Sequence, residues 1–259
     1  MHSTAPVLGS TQTIRASSRT TLGSFPRRPS DALVAEPSAS PALDERYLRN
    51  ASVIDQDQIN AAPVAIVGVG AIGSHLAEIL CKLGVRKITL IDPDEVDTVN
   101  LSVQGFYESE VGRLKTGAVT MRLRAINHSV QVTQKCEEYR PELIEAGSVL
   151  FSCVDSIKVR RQMFRDYREH DWPIFFDGRM SAESLQVYCV ERDAEAMARY
   201  RESLFPSHEA HRESCTARAT IYCASLAAAI LCAQFKKWAM GQMPETRLNF
   251  DLFAMDCFR

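Results

Sequence analysis

The sequence predicts an α/β fold with a doubly wound mixed sheet, parallel in its first half and antiparallel in its C-terminal part. Two observations carry this prediction. From Pro63 the chain reads as an apolar strand "PVAIVG", a glycine turn, a helix and a second strand "KITLID", the order of a right-handed βαβ unit. After Gly178 the segments "SLQVYCVE" and "LNFDLFAM" are typical of a pair of antiparallel strands.

Further elements are expected between and after these segments. In chain order they are a helix from Lys115 to about Asn127, strands at "VQVTQ" and "SVLFSC", a helix through Val159, Met163 and Tyr167, a strand "PIFFDG", a helix near Asp193 to Arg201 and a helix from about Thr216 to Met240. The uncharged run in the last helix spans 17 residues, 219–235, short of the roughly 20 that cross a membrane. We therefore expect a buried helix there and no membrane association.

Composition narrows the classes of function. The 259 residues include 30 basic and 32 acidic side chains, a net charge of −2, so no nucleic-acid partner is expected. Eight cysteines form no C-x-x-C pair, which removes the usual signature of a structural zinc site and predicts a chain without zinc. Most cysteines lie in apolar runs, and the sequence shows no secretory segment. Both features favour a reducing, cytoplasmic location.

The first 43 residues differ from the rest. Ser, Thr and Pro supply 18 of residues 1–42, and the first acid is Asp31. Such a segment buries too little apolar surface to order the chain, so we expect a disordered tail over 1–43 and one folded domain over 44–259. The bias toward Arg and Ser is similar to a transit peptide, but a variable tail or a misassigned start site gives the same composition.

Three glycines and an acid suggest a nucleotide site. Gly68, Gly70 and Gly73 form G-x-G-x-x-G, in which the first allows a tight turn, the second lets phosphate approach and the third packs the helix on the strand. Phosphate would bind at the helix N-terminus. Asp92, at the end of the next strand, is placed to bind a ribose, so a Rossmann-like fold is expected. A dehydrogenase fits these features equally well.

Five ordered blocks distinguish the two possibilities. They are "ERYLRN" at 45–50, "GVGAIG" at 68–73, "LIDPDEVDTVNLSVQ" at 90–104, "VGRLK" at 111–115 and "FSCVDSIKVRRQ" at 151–162. Together they resemble the ThiF/MoeB/HesA family of adenylyltransferases, which includes the ubiquitin-activating enzymes, from about residue 45 to the C-terminus. This resemblance implies ATP and Mg²⁺ as cofactors.

The resemblance also implies roles for single residues. Lys115 and Asn100 would contact the phosphates, and Asp155 would hold Mg²⁺. Each residue has a structural alternative: Lys115 as a solvated charge, Asn100 as a turn residue and Asp155 as the N-cap of the following helix. Arg49 resembles a family arginine that reaches the ATP of the neighbouring subunit, which implies a homodimer; its alternative is a surface arginine.

One position departs from the family pattern. Relatives commonly read Asn-x-x-Arg-Gln where this chain reads "NLSVQ", so Val103 replaces a phosphate-binding arginine. Our hypothesis is that Arg179, at a strand end beside the same pocket, supplies the missing cation.

A cysteine completes the candidate site. Cys215, followed by Thr216, resembles the Cys-Thr segment that carries the thioester cysteine in several ubiquitin-like activating enzymes. If it begins a helix, the helix dipole and Arg218 would stabilise its thiolate; the alternative is a small residue that merely starts the helix.

Four functions are compatible with the sequence. The leading one is adenylation of the C-terminal carboxylate of a ubiquitin-like or sulfur-carrier protein that ends in Gly-Gly, followed by a thioester on Cys215. The others are adenylation of a peptide or a tRNA nucleoside, a degenerate nucleotide-binding scaffold subunit, for which Val103 argues, and a nicotinamide dehydrogenase, which Asn100, Lys115 and Asp155 disfavour.

Overall fold

The computed structural model describes residues 44–204 and 219–258. They form one eight-stranded sheet in the order β3-β2-β1-β4-β5-β6-β7-β8. The strands are β1 Val64–Val67, β2 Lys87–Ile91, β3 Gln131–Lys135, β4 Val149–Ser152, β5 Phe175–Ser181, β6 Ser184–Val190, β7 Arg247–Asp251 and β8 Asp256–Phe258. The predicted tail over 1–43 lies outside the described residues and stays a prediction.

The first five strands in this order pair in parallel, and the last three pairings are antiparallel. The predicted mixed sheet is therefore confirmed. At its centre Ile66 of β1 lies opposite Leu90 and Phe151 of its two neighbours, and all three side chains are fully buried. Strands covered on both faces have continuous apolar sequences, which is why "PVAIVG" and "SVLFSC" could be recognised.

Six helices lie among the described residues: α1 Gln56–Ala61, α2 Ala71–Leu83, α3 Lys115–Ile126, α4 Ile157–Glu169, α5 Ala194–Glu202 and α6 Ile221–Ala239. One apolar core lies under α2, α3 and α6, and a second lies under α4 and α5 on the other face of the sheet. The sheet is thus doubly wound, as predicted.

The prediction for "LNFDLFAM" as one strand is wrong in its second half. The strand β7 ends at Asp251, whose carboxylate accepts hydrogen bonds from the backbone N–H groups of Phe253 and Ala254. Met255 has a positive φ of 57°, so the chain turns there and returns as β8. An aspartate that bonds the backbone two and three residues later is a common cause of such turns.

The long C-terminal helix begins later than predicted. Ala219 forms a bridge with Ala182, and Thr220, at φ −126° and ψ 141°, precedes the first helical residue Ile221. The expected start at Thr216 lies outside the described residues. No described helix is long and apolar enough to cross a membrane.

Candidate nucleotide site

The glycine turn between β1 and α2 has the geometry that its sequence requires. Gly68 has φ +86°, and a Cβ on it would lie 2.7 Å from the carbonyl oxygen of Cys153. A Cβ on Gly73 would overlap the carbonyl oxygen of Gly68. Both glycines are therefore needed to bring the N-terminus of α2 against the strands, where backbone N–H groups can bind an anion.

Asp92, the residue after β2, is bonded to this turn. Its carboxylate accepts hydrogen bonds from the backbone N–H of Val69 at 2.6 Å and of Asp94 at 2.9 Å. Only 6% of the residue is exposed. Burial raises the pKa of Asp92, while the two backbone hydrogen bonds and the charge of Lys115 act in the opposite direction. The carboxylate that was predicted to bind ribose thus also fixes the glycine turn.

Lys115 is not the solvated charge of the alternative interpretation. Its side chain is 8% exposed, and its Nζ lies 2.8 Å from Oδ2 of Asp94. Lys115 is also the first residue of α3, and its backbone N–H donates to the carbonyl oxygen of Asp94. Two contacts with one residue hold the ammonium group at the edge of the cavity described below.

Asn100 combines a turn role with a free donor. It ends a 3-10 turn, Thr98–Asn100, and its Oδ1 accepts a hydrogen bond from the backbone N–H of Asp97 at 2.8 Å. Within the described residues its Nδ2 has no hydrogen-bond partner. The turn interpretation is therefore correct for the oxygen, and the amide nitrogen remains available to an anion.

Asp155 does not cap α4. The N-cap is Ser156, whose side chain accepts a hydrogen bond from the backbone N–H of Val159. Asp155 is exposed, and in the described structure its carboxylate has no hydrogen-bond or ion-pair partner. A carboxylate without a structural role at this place is free to bind a cation.

Arg179 of β5 is engaged by protein groups. Its Nε donates to Asp177 at 2.6 Å, and its Nη1 and Nη2 donate to the backbone and hydroxyl oxygens of Ser203. The guanidinium also lies 4.3 Å from the ring centroid of Tyr188. Arg179 lines the cavity as expected, but these bonds would have to break before it could bind phosphate. Its proposed replacement of the missing arginine stays a prediction.

Asp177 is the centre of this network. It is fully buried and accepts hydrogen bonds from Arg160 at 2.9 Å, from Arg179 and from the hydroxyl of Tyr200. Burial alone would raise the pKa of Asp177, but the charges and hydrogen bonds of the two arginines outweigh burial and lower it. Asp177 therefore remains ionised and holds both guanidinium groups.

These elements surround a cavity of about 660 Å³ at the carboxyl ends of β1, β2 and β4. Seven predicted site residues line it: Gly68, Gly70, Asp92, Asn100, Lys115, Asp155 and Arg179. Gly73 does not line the cavity; it packs against the carbonyl oxygen of Gly68 in the glycine turn. Arg49 is exposed and does not line the cavity, and Cys215 lies outside the described residues.

Cavity residues that were not singled out from the sequence include Asp94, Gln104, Lys158 and Arg160. All four lie in the motif blocks, Asp94 and Gln104 between β2 and α3 and Lys158 and Arg160 in α4. That position was a usable signal. The sequence could not distinguish Asp94 and Arg160 from solvent-facing charges, because their partners Lys115 and Asp177 lie 21 and 17 residues away.

Among the described residues, no group of three or more His, Cys, Asp or Glu side chains could hold a metal ion. The described part of the chain therefore forms no metal site of three or more such side chains. Asp155 could still act as a single ligand, because Mg²⁺ is usually held by one or two carboxylates together with substrate phosphates.

Comparison with curated proteins gives two kinds of relative. The chain is 32% identical to ubiquitin-like modifier-activating enzyme 5 of Rattus norvegicus over 124 residues, 42% of this chain and 31% of the relative. It is 30% identical to adenylyltransferase and sulfurtransferase MOCS3 of Mus musculus over 166 residues, 54% of this chain and 36% of the relative. The matches thus span about a third of the length of these relatives.

Solved structures share the fold at lower identity. PaaA aligns with a TM-score of 0.69 at 19% identity, covering 87% of this chain and 76% of PaaA. MccB of E. coli, solved with ATP, aligns with a TM-score of 0.63 at 19% identity, covering 83% of this chain and 71% of MccB. The match to the ThiF family itself extends over residues 44–259, and the chain therefore belongs to the ThiF family.

Proposed function

We propose that this protein is an ATP-dependent adenylyltransferase that activates the C-terminal carboxylate of a ubiquitin-like or sulfur-carrier protein ending in Gly-Gly. The observation that carries the proposal is the cavity that brings the glycine turn, Asp92, Asn100, Lys115 and Asp155 together. Membership of the ThiF family supports it, as does the similarity to ubiquitin-like modifier-activating enzyme 5 and to adenylyltransferase and sulfurtransferase MOCS3.

The reaction requires charge neutralisation at two points. A carboxylate oxygen of the acceptor attacks the α-phosphorus of ATP, a new P–O bond forms, and the bond to the leaving pyrophosphate breaks. Negative charge then develops on the phosphate oxygens and on pyrophosphate. Lys115, the Nδ2 donor of Asn100 and the N-terminus of α2 are suited to bind these oxygens. Hydride transfer to a dinucleotide would need no such cluster.

The residues present also fit the two cofactors. Gly70 is the N-cap residue of α2 and lines the cavity, so no side chain at this position stands between the helix N-terminus and a phosphate group. Asp155 would bind Mg²⁺, which neutralises phosphate charge when it is bound. Asp92 would bind the ribose with the oxygen lone pairs that Val69 and Asp94 leave free.

Three further features belong to this proposal. Cys215, which lies outside the described residues, would form a thioester with the adenylated carrier, releasing AMP. Arg49 would reach the ATP of a second subunit in a homodimer. A cytoplasmic location remains the expectation from cysteine usage.

The test is exchange of labelled pyrophosphate into ATP. We expect exchange that depends on a carrier protein ending in Gly-Gly. Asp155→Ala should abolish this exchange. The control is Asp171→Ala, which changes an exposed acid and should leave exchange unaffected. Dependence on a short peptide or on tRNA would contradict the carrier assignment, and ATP binding without exchange would indicate the scaffold.

The thioester step is tested separately. Wild type with ATP and its carrier should give a covalent adduct that a thiol reductant removes. Cys215→Ala should lose the adduct and keep exchange. An adduct that survives in Cys215→Ala would remove the thioester role from this cysteine.

A further inference from the structure

The side chains that line the cavity carry more negative than positive charges, although the proposed ligand is a polyanion. In the described part of the chain the lining includes five carboxylates, from Asp92, Asp94, Glu137, Glu138 and Asp155, against four cations, from Lys115, Lys158, Arg160 and Arg179. A triphosphate carries about four negative charges at neutral pH. Bound Mg²⁺ would neutralise part of this charge, and a cation without a protein partner would neutralise more of it.

Three of the four cations are already bound to protein groups. Lys115 is paired with Asp94. Arg160 donates to Asp177 and to the carbonyl oxygen of Gly178. Arg179 donates to Asp177 and Ser203, and removing it would leave a fully buried carboxylate short of a partner, which is costly.

Lys158 differs from the other three. It lies in the first turn of α4, three residues after Asp155, and its side chain is exposed at the cavity. Within the described residues it forms neither an ion pair nor a side-chain hydrogen bond. An ammonium group on a flexible four-carbon chain can reach an oxygen anion without breaking any existing contact.

The position of Val103 is relevant to this question. Val103 lines the same cavity, at the position where the resemblance of the sequence to the family implies a phosphate-binding arginine. An uncharged side chain there leaves the phosphates short of one donor.

We propose that Lys158 binds the phosphate chain of ATP and supplies the cationic contact that Val103 cannot make. This inference rests on the proposed function and deepens it, since it names a further phosphate-binding residue. It also replaces Arg179 as the first candidate for that contact, because Lys158 is free and the guanidinium of Arg179 is not.

The experiment measures MgATP and adenosine affinity by titration calorimetry for wild type, Lys158→Ala and Lys158→Arg. Arg168→Ala is the matched control, because Arg168 is an exposed cation on the same helix outside the cavity. Lys158→Ala should weaken MgATP binding about tenfold, the low end for a charge-assisted hydrogen bond. Adenosine affinity should not change, Lys158→Arg should restore most of the ATP affinity, and Arg168→Ala should match wild type.

Several results would overturn the inference. Unchanged MgATP affinity in Lys158→Ala would overturn it. If the KM of the acceptor rises while MgATP affinity is unchanged, Lys158 binds the acceptor carboxylate and not ATP. An equal loss for adenosine would mean that the substitution acts through the fold. If wild type binds no MgATP, both proposals fail; if it binds MgATP through Lys158 without exchange, only the proposed reaction fails.

Discussion

Asp177 and its two arginines form a buried ion-pair network. The carboxylate is fully buried, and Arg160 and Arg179 lie on either side of it with 9% and 13% of their side chains exposed. Replacing a buried charge that has such partners leaves the partners unpaired, and this usually destabilises a protein by about 3–5 kcal/mol. The network is therefore a point at which a single substitution should act on stability.

We predict that Asp177→Asn lowers the free energy of unfolding by about 3 kcal/mol at pH 7. The pKa of Asp177 is below its usual value of 3.8, so its ionised form stabilises the fold above pH 3.8. This contribution is lost as the pH falls from 3.8 through the lower pKa of the folded protein. The gap between wild type and variant in urea unfolding should thus be full at pH 7 and narrow below pH 3.8.

Glu169→Gln is the control for this measurement, because Glu169 is an exposed acid at the end of α4. It should change stability by no more than about 0.5 kcal/mol. Equal stability of wild type and Asp177→Asn at pH 7 would show that the ion pairs do not stabilise the fold.

Residues of the site were predictable from the sequence where the residues that act together lie close together in the chain. Gly68, Gly73 and Asp92 lie within one βαβ unit, and the φ of Gly68 and the contacts of Gly73 follow the reasoning from sequence. The partner of Arg179 was not predictable, since Ser203 lies 24 residues away. Contacts of this kind depend on how α5 packs against β6, which no local pattern encodes.

At the scale of elements, the N-terminus of α2 depends on a close approach between helix and turn. A Cβ on Gly73 would overlap the carbonyl oxygen of Gly68, whereas a Cβ on Gly117, inside α3, would meet only Gln134 and Leu114 at 3.8 Å. The two glycines are therefore a matched pair: both are helical, and only one is required by packing.

We predict opposite effects for the two substitutions. Gly73→Ala should destabilise the protein by about 1–3 kcal/mol, as overpacking does, and should weaken ATP binding because α2 moves away from the turn. Gly117→Ala should stabilise it by about 0.5–1 kcal/mol, because alanine is the better helix former. Urea unfolding and calorimetric ATP titration measure both. A Gly73→Ala variant as stable as wild type would mean that the helix and turn are not in this contact.

Most elements were predictable, and the failures occurred at their ends. The start of α6 was expected at about Thr216, and the segment after β7 was expected to continue as a strand, because neither composition nor periodicity marks the actual boundaries. The structure fixes these boundaries by the bridge of Ala219 to Ala182 and by the hydrogen bonds of Asp251. Both are long-range or side-chain effects that override local propensity.

At the scale of the whole molecule, the strand order explains the location of the cavity. The chain runs outward from β1 through β2 to β3 and then returns to β4 on the other side of β1. In such sheets a crevice opens where the order reverses, outside the carboxyl ends of the strands. The glycine turn, the loop after β2 and the start of α4 meet in this crevice, so residues far apart in sequence share one site.

Arg49 is a predicted site residue that does not line the cavity of its own chain. It follows the short turn Glu45–Tyr47, is exposed, and forms no ion pair with any described residue. A free surface arginine is consistent with a contact to the nucleotide of a second subunit. The prediction of a homodimer with shared sites can therefore be tested through this residue alone.

We predict that Arg49→Ala and Asp155→Ala each lose pyrophosphate exchange and that mixing the two variants restores part of it. A mixed dimer carries one site with both Asp155 from its own chain and Arg49 from the other. Random exchange of subunits makes half of the dimers mixed, each with one intact site of two, so activity should recover to about a quarter of the wild-type value. Subunits are mixed under conditions of dimer exchange, and dimers are verified by sedimentation. A mixture that stays inactive, although the subunits exchange, would place Arg49 outside the partner's site.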